Sequence, residues 1–353
     1  MNSSINVTKF LIAIYMVVFH VAALSGYKYF EGGYIFVEWF FIFAGFMVAK
    51  KVLSLEKNED TFIEAVKIVR ARIVKIFPYY LLSCIAAILF KLYTNTLAMD
   101  EIYTIKRILN EIFMLQMITV STYPLTGTSW FLSSMWIILI LILPFFIKLK
   151  KKFMIPAIII SLSLYYITYR VSGYLWGPAE KIIIFEKGNI RAAAAISIGI
   201  ISYMLYDKLK TVLKHPYLET IFVWVCNLLI FYYISIVDES IYYFLLPFAF
   251  MILIAIDMGK SKNAFIPDNK FTRFLGTVSM IIYMNHFYIV FYMTDESPFL
   301  VAGRTGVLSR LSPTLPYADK VISALVWSLS ISISIYIIHY LISKIHKLIC
   351  KKV

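Results

Sequence analysis

Apolar residues fall along the chain in ten long runs, at positions 8–25, 32–49, 76–93, 130–147, 153–169, 190–206, 218–237, 240–256, 275–293 and 321–342. A bilayer core takes roughly 20 apolar residues per helix, so each run is long enough to cross it. The expected fold is all-α: a polytopic integral membrane protein with about ten transmembrane helices in a single domain, 1–353. The connections between runs alternate in character. Roughly two-thirds of the Lys and Arg residues lie in every second connection and at the two ends, which predicts both termini on the cytoplasmic side, N-in and C-in. The first run is followed within a few residues by a second and lacks a small-residue cleavage site, so it reads as a span and not as a signal peptide. Residues 101–117 place Ile105, Ile108, Leu109, Ile112 and Leu115 on one helical face, the pattern of a helix lying in the outer interface. Residues 54–75 form a basic helical stretch. Residues 294–318, with Pro298, Pro313 and Pro316, read as an irregular loop.

Composition excludes other classes. Of 353 residues, 61% are hydrophobic and only 15% charged, with a mean hydropathy of +0.80. Soluble domains carry about 25% charged residues. Disorder is excluded by the same figures. Cys84, Cys226 and Cys350 are scattered, with neither a disulfide framework nor metal-ligand spacing, so no metal is expected. The net charge of +14 is accounted for by the basic cytoplasmic connections and calls for no nucleic-acid partner.

Ionisable residues inside the runs are the candidate chemistry, because insertion of one costs about 2.5–3.5 kcal/mol. They are His20, Glu38 and His286, with Lys9, Arg191 and His339 nearer the ends. In the N-in orientation the first three lie roughly 8–10 Å below the outer surface, which suggests one polar layer. A neutral imidazole at His20 can take a proton from a hydroxyl near neutral pH. Glu38 can orient that ring and stabilise the imidazolium; the alternative is a structural partner for Tyr34 or an arginine. Lys9 lies eleven helical steps before His20, on the same face and about 16 Å away, and reads either as part of the site or as a snorkelling lysine. Arg70, Arg72 and Lys75 precede the third run. They serve topology, or bind the phosphates of an anionic donor such as coenzyme A. Pro78 is expected in the first turn of the helix that follows.

These strings together resemble the membrane-bound acyltransferase-3 family of cell-surface O-acyltransferases. Lys9-x10-His20 is similar to R-x10-H in the family's first span. The segment Gly33 to Phe46 (GYIFVEWFFIFAGF) resembles G-x-x-x-V-[DE]-x-F-F-x-x-S-G-[FY], and Arg72-x-x-Lys75-x-x-Pro78 resembles R-x-x-R-x-x-P. Trp130-Phe131-Leu132-Ser133 matches W-[FY]-L-S, and Leu275-Gly276-Thr277-Val278-Ser279 with Tyr283-Met284-Asn285-His286 resembles L-G-x-x-S and Y-L-x-H. Lys9 and Lys75 stand where the family has arginine, which keeps the charge but loses the planar fork. Ala44 replaces a serine, and Met135 stands where many members carry an acidic residue.

The resemblance implies transfer of an acyl group, acetyl above all, from cytoplasmic acyl-CoA to a hydroxyl of a surface or lipid-linked glycan of the bacterial cell envelope. His20 and Glu38 are the implied catalytic pair, and Lys9, Arg70, Arg72 and Lys75 the donor side. Trp130, Ser133, Arg191, Asn285 and His286 belong to the acceptor or oxyanion side. Acetyl-CoA would be a co-substrate, with no tightly bound cofactor. The partners are the donor, the glycan and the lipid of an inner or plasma membrane. Rival readings are a glycan or lipid transporter, since buried His and Glu also line ion paths, and a non-catalytic relative.

Overall fold

The structure is a computed structural model that describes residues 3–56, 60–94, 101–118, 125–182, 184–209, 215–237, 241–258, 266–294 and 317–350. All ten apolar runs are helical. They correspond to α1 (Ser3–Leu24), α2 (Phe36–Leu53), α3 (Thr61–Tyr93), α5 (Trp130–Leu149), α6 (Met154–Ser172), α7 (Lys187–Leu209), α8 (Pro216–Ile236), α9 (Leu246–Met258), α10 (Lys270–Thr294) and α11 (Tyr317–Cys350). Between α3 and α5 lies the shorter α4 (Glu101–Ile112). Among the described residues nine helical stretches are long and apolar enough to cross a membrane. One of them, Trp130–Ser172, is two helices, α5 and α6, joined by a 3-10 turn at Lys150–Phe153. The all-α, polytopic membrane architecture follows.

The helices differ from the sequence pattern at instructive places. The basic stretch and the third span are one helix of 33 residues, so Pro78 sits inside α3 and not in a first turn. A proline there removes one backbone bond, a loss that membrane helices accommodate. The spans at α2 and α9 begin with 3-10 turns, Glu31–Ile35 and Ile241–Phe244. Lys181–Ile182 and Phe185–Glu186 pair as a minimal antiparallel hairpin, which no apolar run announces. The proline-bearing loop at 294–318 lies, over 295–316, outside the described residues.

Cα proximity sorts the chain into two compact units interleaved in sequence. The first comprises Met1–Thr8, Tyr29–Arg72 and Trp130–Arg273. Its centre is α7, which packs against α2, α5, α6 and α9. The α2–α7 crossing is close because both helices present glycine. A Cβ added at Gly45 would strike the Ile196 carbonyl, and one at Gly199 the Ile42 carbonyl. Small residues let membrane helices approach where no hydrophobic force separates protein from lipid. The neighbouring Ala192, Ala194, Ala195 and Ser197 are all buried on the same helix.

The second unit comprises Lys9–Lys28, Ile73–Ser129 and Phe274–Val353. Ala13, Val17 and Val21 of α1 pack with Val278, Ile282 and Val290 of α10 and Ala324 of α11. Ala87 of α3 packs with Tyr288, Ile289 and Met293. Leu89, Leu92, Val326 and Ile338 face outward, as lipid-facing positions must. In α4 the outward face is also apolar. Ile105 and Leu109 are exposed, while Asn110 and Glu111 are buried.

Candidate functional site

Two buried polar centres hold most of the candidate residues, one in each unit. In the first unit Glu38 stands in the first turn of α2, where the helix N-terminus favours a carboxylate. It does not wait for a histidine. Arg191, in the second turn of α7, donates from Nε to Oε1 and from Nη2 to Oε2, both at 2.7 Å. Nη2 also donates to the Tyr34 carbonyl at 3.1 Å. The pair is closed to solvent, at 1% exposure for Arg191 and 0% for Glu38. Of the alternative reading of Glu38, as a structural partner for Tyr34 or an arginine, the geometry shows the arginine. Removing one member of such a pair strands a buried charge and costs about 3–5 kcal/mol. Trp130 lies under the guanidinium, 5.6 Å from its carbon to the ring centre.

The approach of α7 to this pair is itself pinned. Lys187, fully buried at the start of α7, donates to the Trp176 carbonyl at 2.6 Å and forms an ion pair with Glu180. Its ammonium sits 4.0 Å from the centre of the Tyr174 ring. Arg191 is one helical turn beyond this anchor.

In the second unit the centre is imidazole. His20 of α1 and His286 of α10 stand with ring centres 5.1 Å apart. Phe287 closes on His20 edge-on at 4.8 Å, and Phe19 lies at 4.5 Å. Both histidines are buried. His286 Nδ1 donates to the carbonyls of Ile282 and Tyr283, at 3.1 and 2.9 Å. His286 Nε2 and His20 Nδ1 have no hydrogen-bond partner among the described residues. Asn285, expected as an oxyanion donor, has its amide fully committed. Nδ2 donates to Ser83 Oγ at 2.9 Å and to the Ile281 carbonyl at 2.8 Å, and Oδ1 accepts from the Tyr288 hydroxyl at 2.8 Å. It is a strut between α3 and α10.

Sequence reasoning missed the carboxylate that organises this unit. Glu111, just 1% exposed, accepts from the Leu125 N–H at 2.9 Å, from Thr126 Oγ1 at 3.1 Å and from Ser129 Oγ. Tyr80 donates to its backbone carbonyl, and Gln116 Nε2 bridges Tyr80 and Ser129 at 2.9 and 3.2 Å. The segment 125–129 held in this way lies on the histidine centre. Thr128 donates at 2.7 Å to the Tyr283 carbonyl, which also receives His286 Nδ1. Gly127, with φ +79°, leaves room for the Phe287 ring where a side chain would collide. The signal available in the sequence was the polar face of α4, opposite an apolar stripe that points to lipid.

The donor-side candidates are spread along two helices. Arg70 and Lys75 of α3 are exposed and Lys9 of α1 is half-buried. Arg72 is half-buried and reaches the Ala44 carbonyl of α2 at 3.5 Å, the outer limit for a hydrogen bond. Ser133 is buried in the first turn of α5, and Ser134 Oγ has no partner among the described residues. No cluster of three or more metal-ligating side chains occurs among the described residues.

Comparison with known proteins gives one decisive match. No curated protein and no solved structure matches the chain. A family model described as an acyltransferase domain, that of the acyltransferase-3 family, matches residues 2–337. That span runs from the start of α1 into α11 and takes in both buried centres, so the chain, a multi-pass membrane protein, belongs to the acyltransferase-3 family.

Proposed function

We propose that the protein transfers an acyl group, acetyl in the first instance, from cytoplasmic acyl-CoA to a hydroxyl of a surface or lipid-linked glycan on the outer face of the membrane. The observation that carries the reading is His20: a buried imidazole with a ring nitrogen unpaired among the described residues, in a member of a membrane acyltransferase family, on the helix that also bears Lys9. The acceptor hydroxyl gives its proton to His20 as its oxygen attacks the thioester carbonyl. The new C–O bond forms, the C–S bond breaks, and the imidazolium returns the proton to the departing thiolate. Charge on the carbonyl oxygen requires donors already in place. Arg191, which Glu38 holds over Trp130, and Ser133 are the candidates that the family resemblance suggests for that role. In this reading Glu38 acts on Arg191 and not on His20.

On the donor side Arg72 is the candidate for phosphate, since its planar fork can grip two oxygens, with Lys9, Arg70 and Lys75 supplying charge. The orientation is supported by the basic connections, which favour a cytoplasmic position for the α3 arginines. Membranes containing the protein, incubated with acetyl-CoA labelled in the acetyl group, should transfer label to isolated envelope glycans. Glycan movement across the membrane without label would favour the transporter reading. Neither label nor movement would favour a non-catalytic relative.

A further inference from the structure

The two orphaned nitrogens in the second unit have complementary chemistry. A backbone carbonyl only accepts, so the two carbonyls at His286 Nδ1 require that atom to carry the proton. In a neutral imidazole the lone pair then lies on Nε2. Among the described residues that atom is buried and without a partner, and so is His20 Nδ1 on the adjoining ring. An unsatisfied buried polar atom costs about 1–3 kcal/mol. Both are relieved together if His20 carries its proton on Nδ1 and His286 Nε2 accepts it. At a ring-centre separation of 5.1 Å, a small rotation or one intervening water closes the contact.

We propose that His286 is the positioning residue for His20: its backbone-held tautomer offers the acceptor that keeps the His20 proton on Nδ1 and leaves the His20 Nε2 lone pair to take the substrate proton. The inference rests on the reading of His20 as general base. It assigns to a second histidine the orienting role that a carboxylate has in a Ser-His-Asp triad. Glu38 already has a partner of opposite charge, since Arg191 donates to both its oxygens. His286 stays neutral throughout: the proton taken from the acceptor resides on His20 Nε2 and goes to the thiolate. The surroundings favour a neutral partner, because the rings of Phe19 and Phe287 also flank His20. The Glu111-held segment supports the arrangement through Thr128, which shares the Tyr283 carbonyl with His286.

The test uses the full-length protein with 15N-histidine labelling in lipid, where five histidines give a tractable spectrum. His20 is assigned by its loss in His20→Ala and His286 by its loss in His286→Gln. Both should show the proton on Nδ1, whereas a free imidazole favours Nε2. In His286→Phe, which keeps a ring but offers no acceptor, the His20 proton should move to Nε2. Turnover should fall on the order of 10- to 100-fold with both substrate KM values unchanged. His286→Gln, which restores an acceptor oxygen, should recover most of the loss. A His20 proton on Nε2 in the unaltered protein overturns the proposal, and this reading needs no variant to fold beyond those used for assignment. Full turnover in His286→Phe, with His20→Ala inactive, overturns it too and leaves His20 as the base. Full turnover in well-folded His20→Ala removes the base reading itself, whatever the tautomer.

Discussion

The Glu38–Arg191 centre and the His20–His286 centre are both built from ionisable side chains buried in membrane helices, yet they are finished differently. At Glu38 both carboxylate oxygens are occupied, and the opposite charge lies 2.7 Å away. At the histidines two ring nitrogens are left over. A closed ion pair has little left to offer a substrate proton, and its strength is in holding a cation in a fixed orientation. Unpaired imidazole nitrogens carry a cost to the fold and are available to react. Completeness of pairing, more than residue type, is what distinguishes the two centres.

The largest effect should come from breaking the reactive side. His20→Ala should lower acyl transfer by about 10²–10⁴-fold while the protein stays folded and abundant, as expected for loss of a general base. Labelled-acetyl transfer, normalised to protein in the membrane, measures this. Near-normal turnover would place the base elsewhere.

The closed centre should respond mainly in stability. Glu38→Gln strands the Arg191 charge and should cost about 3–5 kcal/mol, seen as a lower unfolding midpoint in detergent. Adding Arg191→Gln should cost much less than a second independent loss, because the two residues act as a unit. Additive losses would show that each side chain serves a different partner.

An intermediate effect is expected at Glu111. Glu111→Gln removes the charge from a carboxylate that accepts three hydrogen bonds and should destabilise by about 1–3 kcal/mol. Because the segment it holds lies against His286 and Phe287, turnover should fall along with the midpoint. A stability loss with turnover unchanged would separate the segment from the histidine centre.

The smallest effect calibrates the ion-pair comparison. Arg273 holds Asp268 with the same two-bond geometry as Arg191 holds Glu38, at 2.9 and 3.0 Å, but in the open. Hydrogen bonding to Arg273 depresses the Asp268 carboxyl below its ordinary range. Any contribution is therefore present at neutral pH and lost as pH falls through the lowered value. Solvent screens the pair, so Asp268→Asn should leave the midpoint within experimental scatter at neutral pH. A loss as large as that at Glu38 would mean that geometry, not burial, sets the strength of both.

The apolar runs alone determined the ten helices and the membrane class, because the bilayer demands about 20 apolar residues per crossing and satisfies no backbone group that a helix leaves open. The ordered strings at Lys9–His20, Gly33–Phe46 and Trp130–Ser133 were enough to suggest the family that the match over residues 2–337 then established. Periodicity also marked His20, Glu38, Arg191 and His286 as unusual, since each is a polar side chain inside an apolar run. Their partners were decided only in three dimensions. Glu38 and Arg191 are 153 positions apart, and no local rule says which cation a buried carboxylate will meet. Asn285 was a possible oxyanion donor in the sequence, and only the structure shows Ser83, Ile281 and Tyr288 as its partners. Glu111 was hidden for a different reason. In a membrane protein an amphipathic helix can turn its apolar face to lipid and its polar face to the protein, so the pattern that gives the stripe does not say which side of it is the inside. That choice is made by what the neighbouring helices and loops leave unsatisfied. Here the hydroxyls of Thr126 and Ser129 and the N–H of Leu125 needed an acceptor, and Glu111 supplies it.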